Sequence, residues 1–200
     1  MSTRVSRDNF TKTKRSTVRH TSKRASYKRE EAYRLIDDLK LGHVAFVING
    51  QIFVIPITIW RVGDFLYFHC ANKGRMQRHI ESGGEVSISF AECSEWVMAK
   101  SAYHHSANYR SAVLFCTGER VTDEAEFDDA FKVIINQLEP DRWEEVRAPN
   151  KIERKATALL KLKIDEGSFK SRTGEPVEEP EDLTLPVWHG NLPVCPFHLD

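Results

Sequence analysis

Apolar residues recur along this chain with two periods, and the change from one period to the other predicts its helices and strands. Residues 27–40 follow the helical period, with Ser26 as the expected N-cap and Gly42 as the expected stop. The apolar stripe of this helix is formed by Ala32, Leu35, Ile36 and Leu39. The same period predicts two further helices, over residues 73–81 and 122–138.

An extended period dominates the rest of the chain and predicts an antiparallel sheet. The expected strands cover residues 43–48, 51–60, 65–69, 86–90, 96–102, 111–121 and 156–164. Asn49-Gly50 is typical of a tight hairpin, and the first three strands are expected to form a meander. Pro56 has no N–H group to donate, which predicts an edge or a bulge in the second strand. Six or seven hairpin-joined strands with flanking helices predict a mainly β fold, a small closed or nearly closed antiparallel barrel.

Composition divides the 200 residues into a central domain and two terminal segments. Residues 26–165 suit one compact domain with a real core. Residues 1–25 are basic and nearly free of large apolar side chains, which predicts a flexible arm or one draped over a partner. Contact of this arm with RNA or a membrane is the alternative. Residues 166–200 keep apolar segments, so this tail is expected to pack on the barrel or on a partner subunit.

Charge and cysteine content limit the function classes. The formal net charge of +0 argues against a protein built mainly to bind nucleic acid. The cysteines are widely separated, which favours free thiols in a reducing cytoplasm over a disulfide framework. No apolar run approaches the roughly 18 residues of a membrane span. Cys195 and His198 have the spacing of half a zinc site, but no second half is present, so no metal is predicted.

The junction between the third strand and the next helix is the best candidate for an anion site. Lys73, Gly74 and Arg75 fall where the loop becomes the helix. Two cationic side chains, free backbone N–H groups and the positive end of the helix dipole can converge there. A phosphate is the expected ligand, and an ordinary solvated helix face is the alternative.

A second group of residues can line a cleft together with this corner. The backbone of Pro56, Ile57 and Thr58 can face the edge of a planar heteroaromatic ring, with Arg110 and Ser111 as donors to its polar atoms. The stacking candidates are Trp60, Tyr109 and Trp188. Solvent exposure of Thr58, core packing of the tryptophans and a surface ion pair at Arg110 are the alternatives.

His69 stands at the end of the strand that leads into the anion corner. An imidazole there can donate to a bound ring or move a proton, and a hydrogen-bonded structural histidine is the alternative. His104 and His105 are adjacent and would face opposite sides of a strand, so they are poor joint metal ligands. No Gly-x-Ser-x-Gly motif supports a serine nucleophile.

Several spaced motifs carry a family resemblance that extends from Ala25 to Pro193. They are Gly50-Gln51 through Pro56, residues 66–71 followed by Gly74-Arg75, residues 105–111, residues 155–158, residues 170–174, and Leu185-Pro186-Val187-Trp188. With these motifs the chain resembles the FMN-binding split barrels related to pyridoxamine 5'-phosphate oxidase, and among them the nitroimidazole-resistance-like flavoproteins. The resemblance implies a split β-barrel and a homodimer with FMN at the subunit interface.

The resemblance also assigns roles to the candidate residues. It implies that Arg75 holds the FMN phosphate, that residues 56–58 follow the isoalloxazine edge, that Arg110 and Ser111 lie near its other polar groups, and that His69 lies beside the flavin. The oxidases have Ser-Arg-Lys at the phosphate where this chain has Gly74-Arg75-Met76, and Lys73 is the candidate replacement for the missing cation. The C-terminal substrate arginines of the oxidases are not recognisable, which argues against oxidation of vitamin B6.

The expected function is therefore that of an FMN-dependent oxidoreductase in the cytoplasm. A reduced nicotinamide is the candidate electron donor, and a nitroaromatic or other small molecule is the acceptor, which His69 would orient or protonate. Neither nucleic acid nor a membrane is expected as a partner. A non-catalytic flavin-binding protein and a haem-binding split barrel with an axial histidine are the alternatives.

Overall fold

The computed structural model describes residues 8–194 and shows a mainly β protein with helices at its margins. The strands are β1 (Ala25–Ser26), β2 (Leu41–Ile48), β3 (Gln51–Thr58), β4 (Trp60–Val62), β5 (Phe65–Ala71), β6 (Val86–Met98), β7 (Ser106–Arg120), β8 (Thr157–Arg172) and β9 (Gly190–Pro193). The helices are α1 (Arg29–Leu39), α2 (Arg75–Glu81), α3 (Glu124–Leu138) and α4 (Lys151–Ala156). None of these helices is long and apolar enough to cross a membrane.

All strand pairs are antiparallel, in the order β3-β2-β6-β7-β8-β5-β4, with β1 added beside β8 and β9 beside β6. The main apolar cluster receives side chains from β2, β3, β5 to β8, α1 and α2, and a second, smaller cluster joins β4 and β5 to α3. The sheet stays open between β3 and β4. The predicted antiparallel split barrel is confirmed, with nine strands rather than six or seven.

The predicted meander of the first three strands is wrong. β2 and β3 form a hairpin and β4 and β5 form another, but β3 and β4 lie at opposite edges of the sheet. β5 pairs with β8 instead, from Phe65↔Lys163 to Ala71↔Thr157. Pro56 lies on the edge strand β3, as its missing N–H group predicts.

Three strands are longer than their apolar runs predict. β6 joins two expected strands into one through a register shift between Cys93 and Glu95. β7 begins at Ser106, so residues 106–110 belong to a strand and not to the long polar loop that was expected. β8 continues to Arg172 through a stretch that was expected to be irregular. These strands extend because neighbouring strands pair with them. The alternation of apolar and polar residues within one segment does not reveal such pairing.

The first helix has the predicted apolar stripe but different ends. Ala32, Leu35 and Ile36 are fully buried, whereas Lys28 and not Ser26 occupies the N-cap, without a side-chain hydrogen bond. Lys40 ends the helix in the left-handed region, at φ 52°. Gly42 lies inside β2, where a Cβ atom would come within 2.8 Å of side-chain atoms of Ile59 and Phe90.

Part of the basic N-terminal segment packs on the barrel. Phe10 is buried in the main core, and its N–H group donates to the carbonyl of Tyr27. Arg15 pairs with Glu85 and Glu166 and lies over the ring of Phe115. The sequence pattern of this segment does not predict these contacts. They depend on one aromatic residue and on acidic residues that are distant in the chain.

The hairpin between β2 and β3 provides a test of backbone strain. Asn49 and Gly50 both have positive φ, 51° and 77°, and no atom lies within 4 Å of a Cβ built on Gly50. Gly50→Ala is therefore expected to destabilise the fold by about 1 kcal/mol through backbone strain alone. Urea denaturation measures the loss. Gly50→Asn should lose less, and equal midpoints for wild type and Gly50→Ala would contradict this account.

Candidate functional site

The turn between β5 and α2 brings the predicted anion-binding residues together, but its backbone is partly occupied. Lys73 has φ 68°, and its N–H group donates to Oε1 of Gln77 at 2.8 Å. The N–H group of Gly74 donates to the carbonyl of Ala71 at 3.2 Å. These two N–H groups are not free for an anion, contrary to the expectation from sequence. The cationic side chains are therefore expected to contribute most to the binding of an anionic ligand here.

Arg75 is held in a conformation that leaves its charge available. Its guanidinium carbon lies 4.7 Å from the centre of the Phe53 ring, and Phe53 stacks on Phe46 at 5.4 Å. Arg75 and the exposed Lys73 form no ion pair with any residue between 8 and 194. A guanidinium stacked by one face keeps its N–H edge free for a bidentate contact with a phosphate.

The predicted ring-binding residues of the edge strand β3 alternate between the two faces of the sheet. Pro56 and Thr58 are exposed on the outer face, and Ile57 is half-buried toward the core. An edge strand has backbone N–H and carbonyl groups without a strand partner, and these can meet the edge of a planar ring. Phe53, on the same strand, links this edge to Arg75.

His69 lies on the outer side of β5, two residues before the strand ends at Ala71. Its imidazole is exposed and stacks between the rings of Trp60 and Phe131, each with centroids 6.1 Å away. Trp60 follows Thr58 by two residues along the chain, but it lies on β4 and packs in the apolar cluster of Tyr67, Phe127 and Ile134. The indole Nε1 of Trp60 is buried and has no hydrogen-bond partner among the described residues. An unpartnered buried donor is costly, and a polar ligand atom would satisfy it.

Arg110 and Ser111, the predicted donors to the ring, form hydrogen bonds within the protein instead. Arg110 donates through Nε to Glu92 and through Nη1 to Asp38, and its hydrogen bond to Glu92 raises the pKa of Arg110. Ser111 donates to the carbonyl of Lys170 at 3.2 Å. Within one copy of the chain these two side chains are therefore occupied. No contact joins them to Arg75.

The remaining aromatic candidates lie elsewhere. Tyr109 is half-buried on β7, opposite Cys93 and Arg172. Trp188 is 61% exposed in the C-terminal segment and packs near Gly190. Neither ring stacks on another aromatic side chain in the described part of the chain, so both keep a face for a ligand or a second subunit.

Asn108 is a polar residue that sequence reasoning did not assign. It is 2% exposed and donates to Glu95 Oε2 at 2.6 Å and to the carbonyl of Gly174 at 3.2 Å. Its own carbonyl oxygen accepts from Arg172 at 2.5 Å. This network fixes the start of the C-terminal segment on the barrel. The predicted strand begins at residue 111, so the sequence pattern does not indicate a buried amide at position 108.

The cysteine near this site is not an activated nucleophile, and the potential metal ligands in the described part of the chain are not clustered. Burial, with a smaller effect of Glu81, raises the pKa of Cys70 to about 11, so the thiol near α2 stays protonated at neutral pH. Cys70, Cys93 and Cys116 are free. The described residues contain no cluster of three His, Cys, Asp or Glu placed to hold a metal ion. Cys195 and His198 lie outside the described range.

The outer face of β2 and β3 is apolar and uncovered. Four of its side chains are more than half exposed: Leu41 (52%), Val47 (53%), Ile52 (76%) and Val54 (57%). Residues opposite each other in an antiparallel pair share a face, and the pairs Val47↔Ile52 and Ala45↔Val54 form this surface. His43 stands on the same face between Pro56 and Ser89, with its imidazole exposed.

Comparison with known proteins supports a family assignment. A family model described as pyridoxamine 5'-phosphate oxidase matches residues 28–171. No curated protein sequence matches the chain. Among solved structures, the flavocytochrome Anf3 from Azotobacter vinelandii is 32% identical, covering 94% of this chain and 87% of its own, with a TM-score of 0.86.

Two further structures have the same fold. The FAD and heme binding protein from Mycobacterium smegmatis is 31% identical, with 88% of each chain covered and a TM-score of 0.80. A protein from Bacteroides thetaiotaomicron, described as a candidate 5-nitroimidazole antibiotic resistance protein, is 17% identical. The match covers 73% of this chain and 85% of that chain, with a TM-score of 0.62, and it shows the fold alone.

Proposed function

The chain belongs to the pyridoxamine 5'-phosphate oxidase family of split barrels, and from this premise we propose that it is a flavin-dependent oxidoreductase. The observation that carries the proposal is Arg75, an exposed guanidinium without an ion pair in the described chain, supported on Phe53 at the corner between β5 and α2. A phosphate monoester or diphosphate fits this group by charge and by shape. FMN and FAD both carry a phosphate on the ribityl chain, so this contact serves either flavin.

The residues around the corner fit a flavin ring as well as its phosphate. The uncovered edge of β3 at residues 56–58 offers backbone groups to the polar edge of the ring, and Trp60 offers its unpartnered indole N–H. A bound flavin supplies the electron transfer. The chain's own part is to neutralise the phosphate through Arg75, to orient the ring along β3, and to orient or protonate the acceptor through His69.

The proposed electron donor is a reduced nicotinamide, and the proposed acceptor is a nitroaromatic ring or another small molecule. The imidazole of His69 lies between the rings of Trp60 and Phe131, so the acceptor would meet its exposed N–H edge. We also propose the cytoplasm as the compartment, which the three free thiols support.

We propose a homodimer joined through the apolar face of β2 and β3. Single exposed apolar residues are ordinary, but this face presents adjacent valine and isoleucine pairs on an edge hairpin. A second copy of the same face is self-complementary under two-fold symmetry. Such an interface would lie next to Pro56 and Thr58, so the partner could complete the flavin site.

Haem is a second candidate cofactor. Two solved structures above 30% identity are described as a flavocytochrome and as an FAD and heme binding protein. Haem needs an axial ligand within apolar surroundings. His43 fits this need because its exposed imidazole stands on the apolar face, beside Pro56 and near Val54.

The visible spectrum of the purified protein tests the proposed function. Flavin absorption bands support it, and a Soret band in addition supports the haem candidate. Turnover of reduced nicotinamide with a nitroimidazole then distinguishes an enzyme from a flavin-binding protein without activity. A protein that stays colourless after incubation with excess FMN, FAD and haem would contradict both cofactor proposals.

His69 is expected to act on the acceptor and not on flavin retention. His69→Ala should lower acceptor turnover by about 100-fold, the lower range for loss of a general acid or base, with flavin affinity unchanged. Stopped-flow reoxidation of the reduced protein measures the effect. His104→Ala is the matched control, since His104 pairs with Glu179 away from the corner. Equal rates for His69→Ala and wild type would remove His69 from the mechanism.

His43 is expected to control haem retention. His43→Ala should abolish the Soret band after reconstitution while flavin absorption remains, because an axial imidazole is lost. His69→Ala serves as the control and should keep the Soret band. If His69→Ala loses haem and His43→Ala keeps it, the axial ligand assignment is wrong.

A further inference from the structure

A second cationic site lies beside the flavin corner. A cavity of about 420 Å³ opens between the first turn of α3 and α4. Its cationic lining consists of Arg120, Lys151, Arg154 and Lys155, and its acidic lining consists of Asp123 and Glu124. Val121 and Phe127, both buried, add apolar surface. The lining therefore carries two more positive charges than negative ones.

Several of these charges are not neutralised locally. Lys151 and Lys155 are exposed and form no ion pair with a described residue. Arg120 pairs with Glu81 at 3.8 Å and Arg154 pairs with Asp128, so Lys151 and Lys155 are the lining cations without a carboxylate partner among the described residues. The carboxylate of Asp123 is engaged as the cap of α3, where it accepts from the N–H group of Glu126 at 2.7 Å. An anion entering the cavity would meet unpaired ammonium groups.

Asn72 joins this cavity to the flavin corner. Its side chain donates to the carbonyl of Lys155 at 2.9 Å and accepts from Arg120 at 3.0 Å. Its N–H group donates to the carbonyl of Ala156 at 3.0 Å. The next residue is Lys73, so the cationic side chains of the corner and of the cavity lie on either side of one asparagine. A ligand with two separated anionic groups could contact both.

We propose that the cavity binds the adenosine diphosphate portion of a dinucleotide. The unpaired ammonium groups of Lys151 and Lys155 would neutralise the diphosphate, and the apolar surface at Val121 and the edge of the Phe127 ring would contact the adenine. The portion belongs either to FAD, whose flavin would lie at Arg75, or to a reduced nicotinamide dinucleotide that approaches the flavin. The identity of the dinucleotide rests on the proposed function. Binding of the diphosphate in the cavity does not.

ADP is the probe that tests the cavity without a flavin. Calorimetric titration of ADP into the purified protein should show saturable binding, and Lys151→Glu/Lys155→Glu should weaken it at least about tenfold, as expected for two lost charge-assisted contacts. Lys155→Ala provides a milder change and should weaken binding less. Lys163→Glu is the matched control, an exposed lysine on β8 outside the cavity. Circular dichroism checks that each variant is folded.

Two further titrations identify the source of the diphosphate. If it belongs to FAD, the double variant loses affinity for FAD at least about tenfold and keeps its affinity for FMN, which lacks the second phosphate. If it belongs to the reductant, FAD and FMN affinities stay equal to wild type and the KM for the reduced dinucleotide rises. ADP binding in a protein that binds no flavin would support the cavity and refute the proposed function. Flavin binding with no ADP binding, and with equal FAD affinity and dinucleotide KM in wild type and double variant, would overturn this inference alone.

Discussion

Replacing Arg75 with alanine is expected to raise the Kd of FMN and FAD by about 10- to 100-fold, because a charge-assisted hydrogen bond contributes about 1.5–3 kcal/mol. The protein should then be purified nearly colourless. Fluorescence titration of flavin into apo-protein measures the change. The effect is large because the N–H groups of Lys73 and Gly74 are engaged within the turn and do not replace the guanidinium.

Two variants sharpen this prediction. Arg75→Lys keeps the charge but loses the planar fork and its stacking on Phe53, so its affinity should fall between wild type and Arg75→Ala. Arg34→Ala is the control, since this exposed arginine pairs only with Glu30 on the surface of α1. Flavin affinity that is equal in wild type and Arg75→Ala would refute the phosphate site.

Val54→Asp is expected to convert the proposed dimer to a monomer. Under two-fold symmetry the substitution places a carboxylate on each of the two facing surfaces, where both would lose water without a partner. Light scattering after size-exclusion chromatography measures the mass. If the partner completes the flavin site beside Pro56 and Thr58, flavin should be lost together with the dimer.

The matched control is Val133→Asp, which places the same charge at an exposed valine on α3, away from this face. It should leave both mass and flavin content unchanged. Circular dichroism distinguishes dissociation from unfolding of Val54→Asp. A Val54→Asp protein that remains dimeric would show that the β2–β3 face is not the interface, and a monomeric wild type would refute the homodimer itself.

The local elements of the fold could be predicted because their causes lie within a few residues. The stripe of α1 follows from helical spacing, the β2–β3 hairpin from Asn49-Gly50, and the edge position of β3 from Pro56. The family resemblance added the split barrel, which the observed sheet and the matched family confirm.

The candidate site could be predicted only in part. Lys73, Gly74 and Arg75 do meet at one corner, because a single turn carries all three. The partners of the other candidates depend on distant strands: Arg110 is bound to Asp38, 72 residues away, and Ser111 to Lys170. Asn72 is bound to Arg120 and Lys155, which no spacing in the sequence indicates.

The sequence by itself therefore predicted most helices and strands, though not the full extents of β6, β7 and β8, together with the apolar stripe of α1 and the turn that carries the cations. Only the tertiary structure decided that the chain crosses from β3 at one edge of the sheet to β4 at the other, and that β5 pairs with β8. It also decided which charges are neutralised and which stay free for a ligand. Periodicity and capping are set by neighbours along the chain, whereas strand order and ion pairing are set by how the whole sheet folds around its two apolar clusters.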